Sequence, residues 1–288
     1  MSQHFADRLL DACQIKGAPV CVGLDPVLEK LPERFDKSDP VSSIELYCLG
    51  VIDAVAEIVP AVKPQSACFE RYGAKGVAVY HEVVAHAKQA GLIVVGDAKR
   101  GDIGTSSAHY AAGLLAGEAG CDTLTVNGYL GGDGLEPFMQ AAENGGKGLF
   151  VLVRTSNPGG DAIQSLPLSD GRTVAEAVGD VVAELGSRCV GEAGYSNVGM
   201  VVGATKPGDA AKLRERYPEQ LFLVPGFGAQ GGGADDVKAC FKPDGTGALI
   251  TASRSVIYAF EPSESNWQNA IANAGVELRD EIAGILRS

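Results

Sequence analysis

Positive charge is in short supply in this 288-residue chain: 24 lysines and arginines stand against 36 aspartates and glutamates, a formal net charge of −12. A general nucleic-acid binder needs a basic face, so the balance argues against one. It leaves room for a small anionic substrate, because a pocket's local charge can oppose the global one. Long apolar runs are missing too. None approaches the ~18 residues a membrane-spanning helix needs, so no membrane partner is expected. Residues 1–17, MSQHFADRLLDACQIKG, read as an amphipathic helix without the apolar core of a signal segment. A cytoplasmic, reducing location is the expectation.

Other absences narrow the class further. The seven cysteines (Cys13, Cys21, Cys48, Cys68, Cys121, Cys189 and Cys240) are odd in number, widely spaced and without a CxxC pair. A disulfide framework or zinc ribbon is therefore not expected, and several sit in apolar runs as small hydrophobes. There is no G-x-S-x-G elbow and no Walker lysine motif. The string His81-Glu82-Val83-Val84-Ala85-His86 imitates a zinc-protease helix. Its histidines are five apart rather than four, however, and so leave one helix face. His4, His81, His86 and His109 all lie away from the apolar runs and suit helix surfaces. No Pro/Gly/Ser-rich linker, composition break or low-complexity tract divides the chain, which reads as one domain over residues 1–288. Hydrophobic residues at 45% and charged residues at 21% are ordinary for a globular protein and exclude disorder and fibre.

What is present is a rhythm. Eight short β-rich apolar runs fall at 19–25, 61–65, 92–99, 123–127, 148–155, 198–205, 221–226 and 247–254, separated by helical stretches. Near-continuous apolar strands suit a parallel sheet covered on both faces, and strand–helix alternation implies βα units. Eight units in this length predict an α/β protein of the (β/α)8 TIM-barrel type, with an open doubly wound sheet as the competitor. The stretch 156–197 is read as a βα connection carrying an insertion, helical from Asp180 to Glu192.

Polar residues stand at the C-terminal ends of the runs: Asp25, Lys63, Asp97, Lys99, Asn127, Thr155, Thr205 and Arg254. In a barrel those ends form the active face; the plainer reading is that strand ends simply meet solvent. The densest group is Asp97-Ala98-Lys99-Arg100-Gly101-Asp102-Ile103. Asp97 and Lys99 are two apart on a strand and so share a side. Opposite charges on an interior face need each other and further partners. The plainer alternative is a surface turn in which Asp102 or Thr105 caps the next helix. Lys63 closes the second run and either snorkels outward or meets a buried carboxylate. The Gly-rich stretch 225–233, from Pro225 through Gln230, can present backbone N–H groups to a phosphate. It also fits G-x-G-x-x-G at 226–231, but too little chain follows to build a dinucleotide fold. Arg254 closes the last run, and the loops after strands seven and eight of a barrel commonly hold phosphate. An arginine fork suits that anion, so Gln230 and Arg254 converge on one expected place. Ser156-Asn157-Pro158-Gly159-Gly160 is mainly turn chemistry, although Ser156 follows strand five and can reach a ligand.

With these residues in view, the chain resembles the orotidine 5′-phosphate decarboxylase family, in its longer bacterial (type 2) branch, over nearly its whole length. The markers are GLDP at 23–26, VKPQ at 62–65, FERYG at 69–73 and DAKRGDI at 97–103. TVNGYLGGDGLEPF at 125–138, VRTSNPG at 153–159, PGFGAQGG at 225–232 and SR at 253–254 complete them. The D-x-K-x-x-D core is shared with related sugar-phosphate lyases; its company makes it more specific. The resemblance implies a (β/α)8 homodimer that converts orotidine 5′-monophosphate to UMP and CO2, the last step of de novo UMP synthesis, without metal or organic cofactor. It implies that Lys63, Asp97 and Lys99 form a charged array completed by Asp102 from the other subunit, with Lys99 protonating C6. It places Asp25 on the ribose hydroxyls and Ser156 on the pyrimidine edge. Gln230 and Arg254 fall on the phosphate, with backbone help near Ser253, and Pro225 falls among the substrate-binding residues. Ser106 stands where many relatives carry Thr in the subunit-crossing loop, and Ser253 where shorter relatives often carry Gly. Three other readings stay open on sequence: a Mg2+-dependent sugar-phosphate decarboxylase or aldolase, a non-catalytic nucleotide-binding regulator on a barrel scaffold, and a dinucleotide-dependent oxidoreductase.

Overall fold

A computed structural model describes residues 3–117, 120–228 and 233–287. Its sheet contains eight strands: β1 Val20–Leu24, β2 Ala61–Pro64, β3 Ile93–Arg100, β4 Thr123–Asn127, β5 Gly148–Arg154, β6 Val198–Val202, β7 Phe222–Val224 and β8 Ala248–Ala252. Each pairs in parallel with the next, and β8 returns to β1 through Val20 opposite Ile250, so the barrel is closed. That pairing removes the open-sheet alternative. Every strand falls inside or across one of the eight apolar runs. The largest differences are β6, β7 and β8, which stop two or three residues short of the ends of their runs. There the chain turns into loops whose polar groups face the mouth of the barrel.

Helices cover the outside, and their ends are set by ordinary capping chemistry. Asp39 accepts the Ser42 N–H ahead of Pro40–Val55, whose proline sits in the first turn. The helix expected from Asp180 to Glu192 instead runs Val174–Gly186. The reason is a capping box: Glu176 N–H donates to Thr173 Oγ1, and Thr173 N–H donates back to Glu176 Oε2 at 2.6 Å. The histidines fall on helices or at a helix end. His4 Nδ1 accepts the Ala6 N–H at the start of Phe5–Lys16, and His86 Nε2 lies 2.6 Å from Asp53 Oδ1 between two outer helices. All seven cysteines are free. No helix among the described residues is long and apolar enough to cross a membrane.

The strands are apolar on both sides because each side has its own core. Outward residues such as Val62, Val94, Val151, Met200 and Ile250 pack against the helices. Inward ones, among them Cys21, Ile93, Val95, Phe150, Leu223 and Leu249, pack against Phe5, Leu9 and Cys13 of the N-terminal helix. That helix connects no strands; it plugs the amino end of the barrel. Phe5 meets Phe150 edge to face at 6.1 Å. A Cβ on Gly148 would lie 2.2 Å from the Phe5 ring, so only glycine allows this seat. Arg8 locks the plug through Asp122 at 2.9 Å, whose other oxygen accepts the Val94 N–H.

Candidate active site

Along each strand the inward positions alternate, and above the apolar layer they turn polar. Lys63 lies two residues beyond Ala61 and Asp97 two beyond Val95, and Thr251 two beyond Leu249. All three line a cavity of about 450 Å³ at the carboxyl end of the barrel. Asp25, Gln65, Lys99, Thr125, Thr155, Ser156, Asn157, Pro225, Ser253 and Arg254 face the same space, over a floor that includes Leu152, Val201 and Leu223.

Asp97 is the hub. It is buried, and Lys63 Nζ donates to its Oδ2 at 2.7 Å, while Lys99 Nζ donates to Oδ1 at 2.5 Å. Gln65 Nε2 adds a bond to Oδ2 at 3.1 Å and Thr125 Oγ1 one to Oδ1 at 3.0 Å. Burial by itself would push this carboxyl upward, but the two ammonium groups outweigh it and hold Asp97 down at about 2. Burial likewise works against the Lys63 cation, yet the charges of Asp97 and Asp25 keep its pKa above the ordinary lysine value. Asp25 lies 4.0 Å from Lys63, and its buried Oδ1 has no hydrogen-bond partner in the protein. A buried acceptor of this kind is an opening for a ligand donor.

Lys99 reaches Asp97 by a route that simple strand alternation does not describe. Its φ is +48°, the one positive value outside glycine among the described residues. The β3–β4 register shifts here: Gly96 pairs with Leu124, while Arg100 pairs with Val126. The extra residues bulge out of the ladder and bring Lys99 back over the cavity.

Of the expected site residues, Lys63, Asp97, Lys99, Asp25, Ser156, Pro225, Ser253 and Arg254 come together around the cavity. Gly23, in the GLDP marker, makes room for Ser253: a Cβ there would lie 1.9 Å from its Oγ. Asp102 and Ser106 do not line the cavity. Asp102 Oδ1 accepts the Ile103 N–H at 2.8 Å, and Ser106 is exposed in the first turn of the helix Gly104–Leu115 rather than in a loop. Neither Asp102 nor Thr105 caps that helix, which begins after Ile103 without a side-chain cap. Gln230, with residues 229–232, lies outside the described residues. Two strand-end positions serve neighbours. Asn127 Oδ1 accepts the Tyr129 N–H, and Thr205 Oγ1 donates to the Ser156 carbonyl at 3.0 Å.

Several supporting residues escaped the sequence reading. Gln65 stands two beyond Lys63 and was findable by alternation. Thr125 is an ordinary strand former by type and gave no sign of its role. Buried Arg154 donates to Asp161 at 2.5 Å, Asp209 at 2.7 Å and Gln164 at 3.2 Å, anchoring the start of the segment that carries Ser156. The Tyr258 hydroxyl donates to the Asp25 carbonyl and accepts the Val27 N–H, tying the loop after β1 to the segment after Arg254. Among the described residues, no group of three or more His, Cys, Asp or Glu is placed to hold a metal ion.

A closed parallel barrel with alternating lysine and carboxylate at its carboxyl face, beside an arginine after the last strand, defines a class: a (β/α)8 enzyme handling an anionic substrate by electrostatics and proton transfer. Comparison with known proteins narrows the class. The family model described as orotidine 5′-phosphate decarboxylase / HUMPS matches residues 18–266. A curated orotidine 5′-phosphate decarboxylase of Rhodopirellula baltica is 42% identical over 97% of this chain and 99% of its own. One from Deinococcus radiodurans is 42% identical over 99% of both. The solved structure of Leishmania donovani OMP decarboxylase superposes with a TM-score of 0.79 at 32% identity, covering 99% of this chain and all of the other. The chain belongs to the orotidine 5′-phosphate decarboxylase family.

Proposed function

We propose that this chain decarboxylates orotidine 5′-monophosphate to UMP and CO2, as a biosynthetic enzyme of the cytoplasm, with residues 1–288 as one catalytic domain and without metal or organic cofactor. The observation that carries the reading is the Lys63–Asp97–Lys99 array facing a cavity whose lining also includes Arg254. In the reaction the C6–carboxylate bond breaks, CO2 leaves and the electron pair remains on C6. Lys99 stabilises that developing charge and then gives C6 an ammonium proton, to be reprotonated from solvent. Asp97, ionised and held by four donors, keeps the Lys99 ammonium aimed without reorganisation at the moment of reaction. Asp25 accepts from ribose hydroxyls through the oxygen that has no hydrogen-bond partner in the protein. Ser156 meets the pyrimidine edge, Pro225 lines the substrate site, and Gln230 and Arg254, with Ser253, take the phosphate.

The enzyme works as a homodimer in which Asp102 enters the array of the other subunit. Asp102 is absent from its own cavity's lining, and its neighbourhood is exposed and apolar: Ile103 is 61% exposed, Tyr110 42%, Tyr129 78% and Leu130 45%. Exposed apolar surface of this kind is the mark of an interface.

The test is the ultraviolet absorbance of orotidine 5′-monophosphate mixed with purified protein in the presence of chelator. Conversion to UMP supports the reading and removes metal-dependent alternatives. No conversion by folded protein, together with Mg2+-dependent turnover of a sugar phosphate, overturns it.

A further inference from the structure

We propose that Thr125 is a positioning residue for the decarboxylation: one hydroxyl couples the backbone of Lys99 to the carboxylate of Asp97 and so fixes the proton donor. The proposal rests on the roles given above to Lys99 and Asp97. It starts from the break in the barrel ladder. Gly96 pairs with Leu124 and Arg100 with Val126, so Thr125 alone stands opposite residues 97–99. In a regular ladder the Lys99 N–H would meet a main-chain carbonyl of β4. Here it donates to Thr125 Oγ1 at 3.0 Å instead.

The same oxygen lies 3.0 Å from Asp97 Oδ1 and 3.5 Å from the Gly96 carbonyl. A hydroxyl has one proton to give. The charged, nearer acceptor takes it. The result is a closed ring: Lys99 N–H to Thr125 hydroxyl, Thr125 hydroxyl to Asp97 Oδ1, and Asp97 Oδ1 back to Lys99 Nζ at 2.5 Å. Thr125 therefore holds Lys99 at its main chain while Asp97 holds it at its tip.

The ring explains why Lys99 can sit at φ +48°. Such a conformation persists in a side-chain-bearing residue only where the surroundings over-determine it. Thr125 is buried at 1% exposure and lines the cavity beside Leu152 and Val201. As a β-branched residue on a strand it has few χ1 choices, so the direction of its hydroxyl is set by packing. Nothing about a threonine in an apolar strand distinguishes it by type; the bulge gives it the role.

The experiment compares Thr125→Val, Thr125→Ser and Lys99→Ala with the parent, measuring kcat and KM for decarboxylation and the dissociation constant of UMP. Valine keeps the shape and removes both bonds; serine keeps the bonds and loses the methyl. For Thr125→Val we expect kcat to fall 10- to 100-fold while UMP affinity changes less than threefold. For Thr125→Ser we expect at least a third of the parental kcat. A merely structural role would lower the folded fraction and leave the kcat of folded protein unchanged. If the valine variant does not fold, Thr125→Ala against Thr125→Ser makes the same comparison. A valine variant within twofold of the parent, or a serine variant as slow as valine, overturns the proposal. Lys99→Ala separates the two levels of argument. If it stays active, the role of Lys99 falls and this inference with it. If it is inactive while Thr125→Val is not, only this inference falls.

Discussion

Replacing Asp97 by Asn tests the array at its hub. The substitution keeps the size of the side chain and removes its charge from between two ammonium groups 2.7 and 2.5 Å away. Ionised Asp97 titrates near 2 rather than at the ordinary 3.8. At about 1.4 kcal/mol for each pH unit, that difference corresponds to roughly 2.5 kcal/mol of folding stability at neutral pH. The sign follows from the depressed pKa. The contribution is fully present above about pH 4 and is lost as the pH falls toward 2. Lys63 does not blur the reading, because a lysine whose pKa is raised above 10.5 contributes constantly throughout the acid range. Asparagine also turns an amide NH2 toward a buried cation, so the total loss near neutrality should reach about 3–5 kcal/mol. Urea midpoints followed by far-UV circular dichroism from pH 6 to pH 2.5, at fixed ionic strength, give the stability gap between parent and variant. That gap should narrow by roughly 1.5 kcal/mol over the interval. A gap that stays constant or widens as the pH falls would refute the charge-based account of Asp97, as would a variant as stable as the parent at pH 6.

Three further outcomes are expected. Arg254→Ala should lower kcat as well as raise KM if, on the role proposed for Arg254, phosphate binding far from the breaking bond helps order the array; a rise in KM alone, in steady-state kinetics, counts against this. Mixing the inactive Lys99→Ala and Asp102→Ala proteins should restore activity in hybrid dimers carrying one intact site, and no recovery after confirmed subunit exchange opposes the shared site. Arg214→Met should cost about 3 kcal/mol or more in urea unfolding while leaving kcat unchanged. The buried Arg214 guanidinium donates to the carbonyls of Cys240, Tyr217, Gln220 and Gly247; its removal strands those of Cys240 and Gln220, while Tyr217 keeps the Gln220 N–H and Gly247 the Phe222 N–H. A smaller loss would mean that water reaches those oxygens.

The barrel was legible because hydrophobic runs and their polar ends are local properties. Burial on both faces needs continuous apolar strands, and these stand out at β1 through β8 without reference to any contact. Lys63, Asp97 and Lys99 were legible for a related reason: charge at the end of an apolar strand is conspicuous. Thr125 and Arg154 were not. A threonine is a good strand former anywhere, and its task exists only because β3 bulges opposite it. Arg154 ends β5 much as Arg254 closes the last apolar run, but it turns outward into Asp161 and Asp209 rather than toward the cavity. That choice depends on the register shift between Leu152 and Arg154 against β6, which no single-strand pattern encodes. The helix Val174–Gly186 shows the local limit, where the Thr173–Glu176 capping box set a start earlier than the apolar pattern had suggested.

The two halves of the barrel lumen depend on each other. Below the array, Ile93, Val95, Phe150 and Leu249 form a dry layer closed by Phe5 and Leu9 of the N-terminal helix. Above it, Lys63 and Asp97 are buried at 6% and 5% exposure. Charges so placed interact far more strongly than at a wet surface, which is what allows one carboxylate to hold two ammonium groups in fixed positions. The same dryness makes an unpaired charge intolerable. That is why Asp97 carries four donors and Lys63 has two carboxylates within reach. An amphipathic helix at the far end of the barrel is thus part of the electrostatics of the site. By keeping water from the floor, it preserves the low-dielectric surroundings of Asp97 and Lys63, and the buried Asp97 in turn holds the half-exposed Lys99 ammonium.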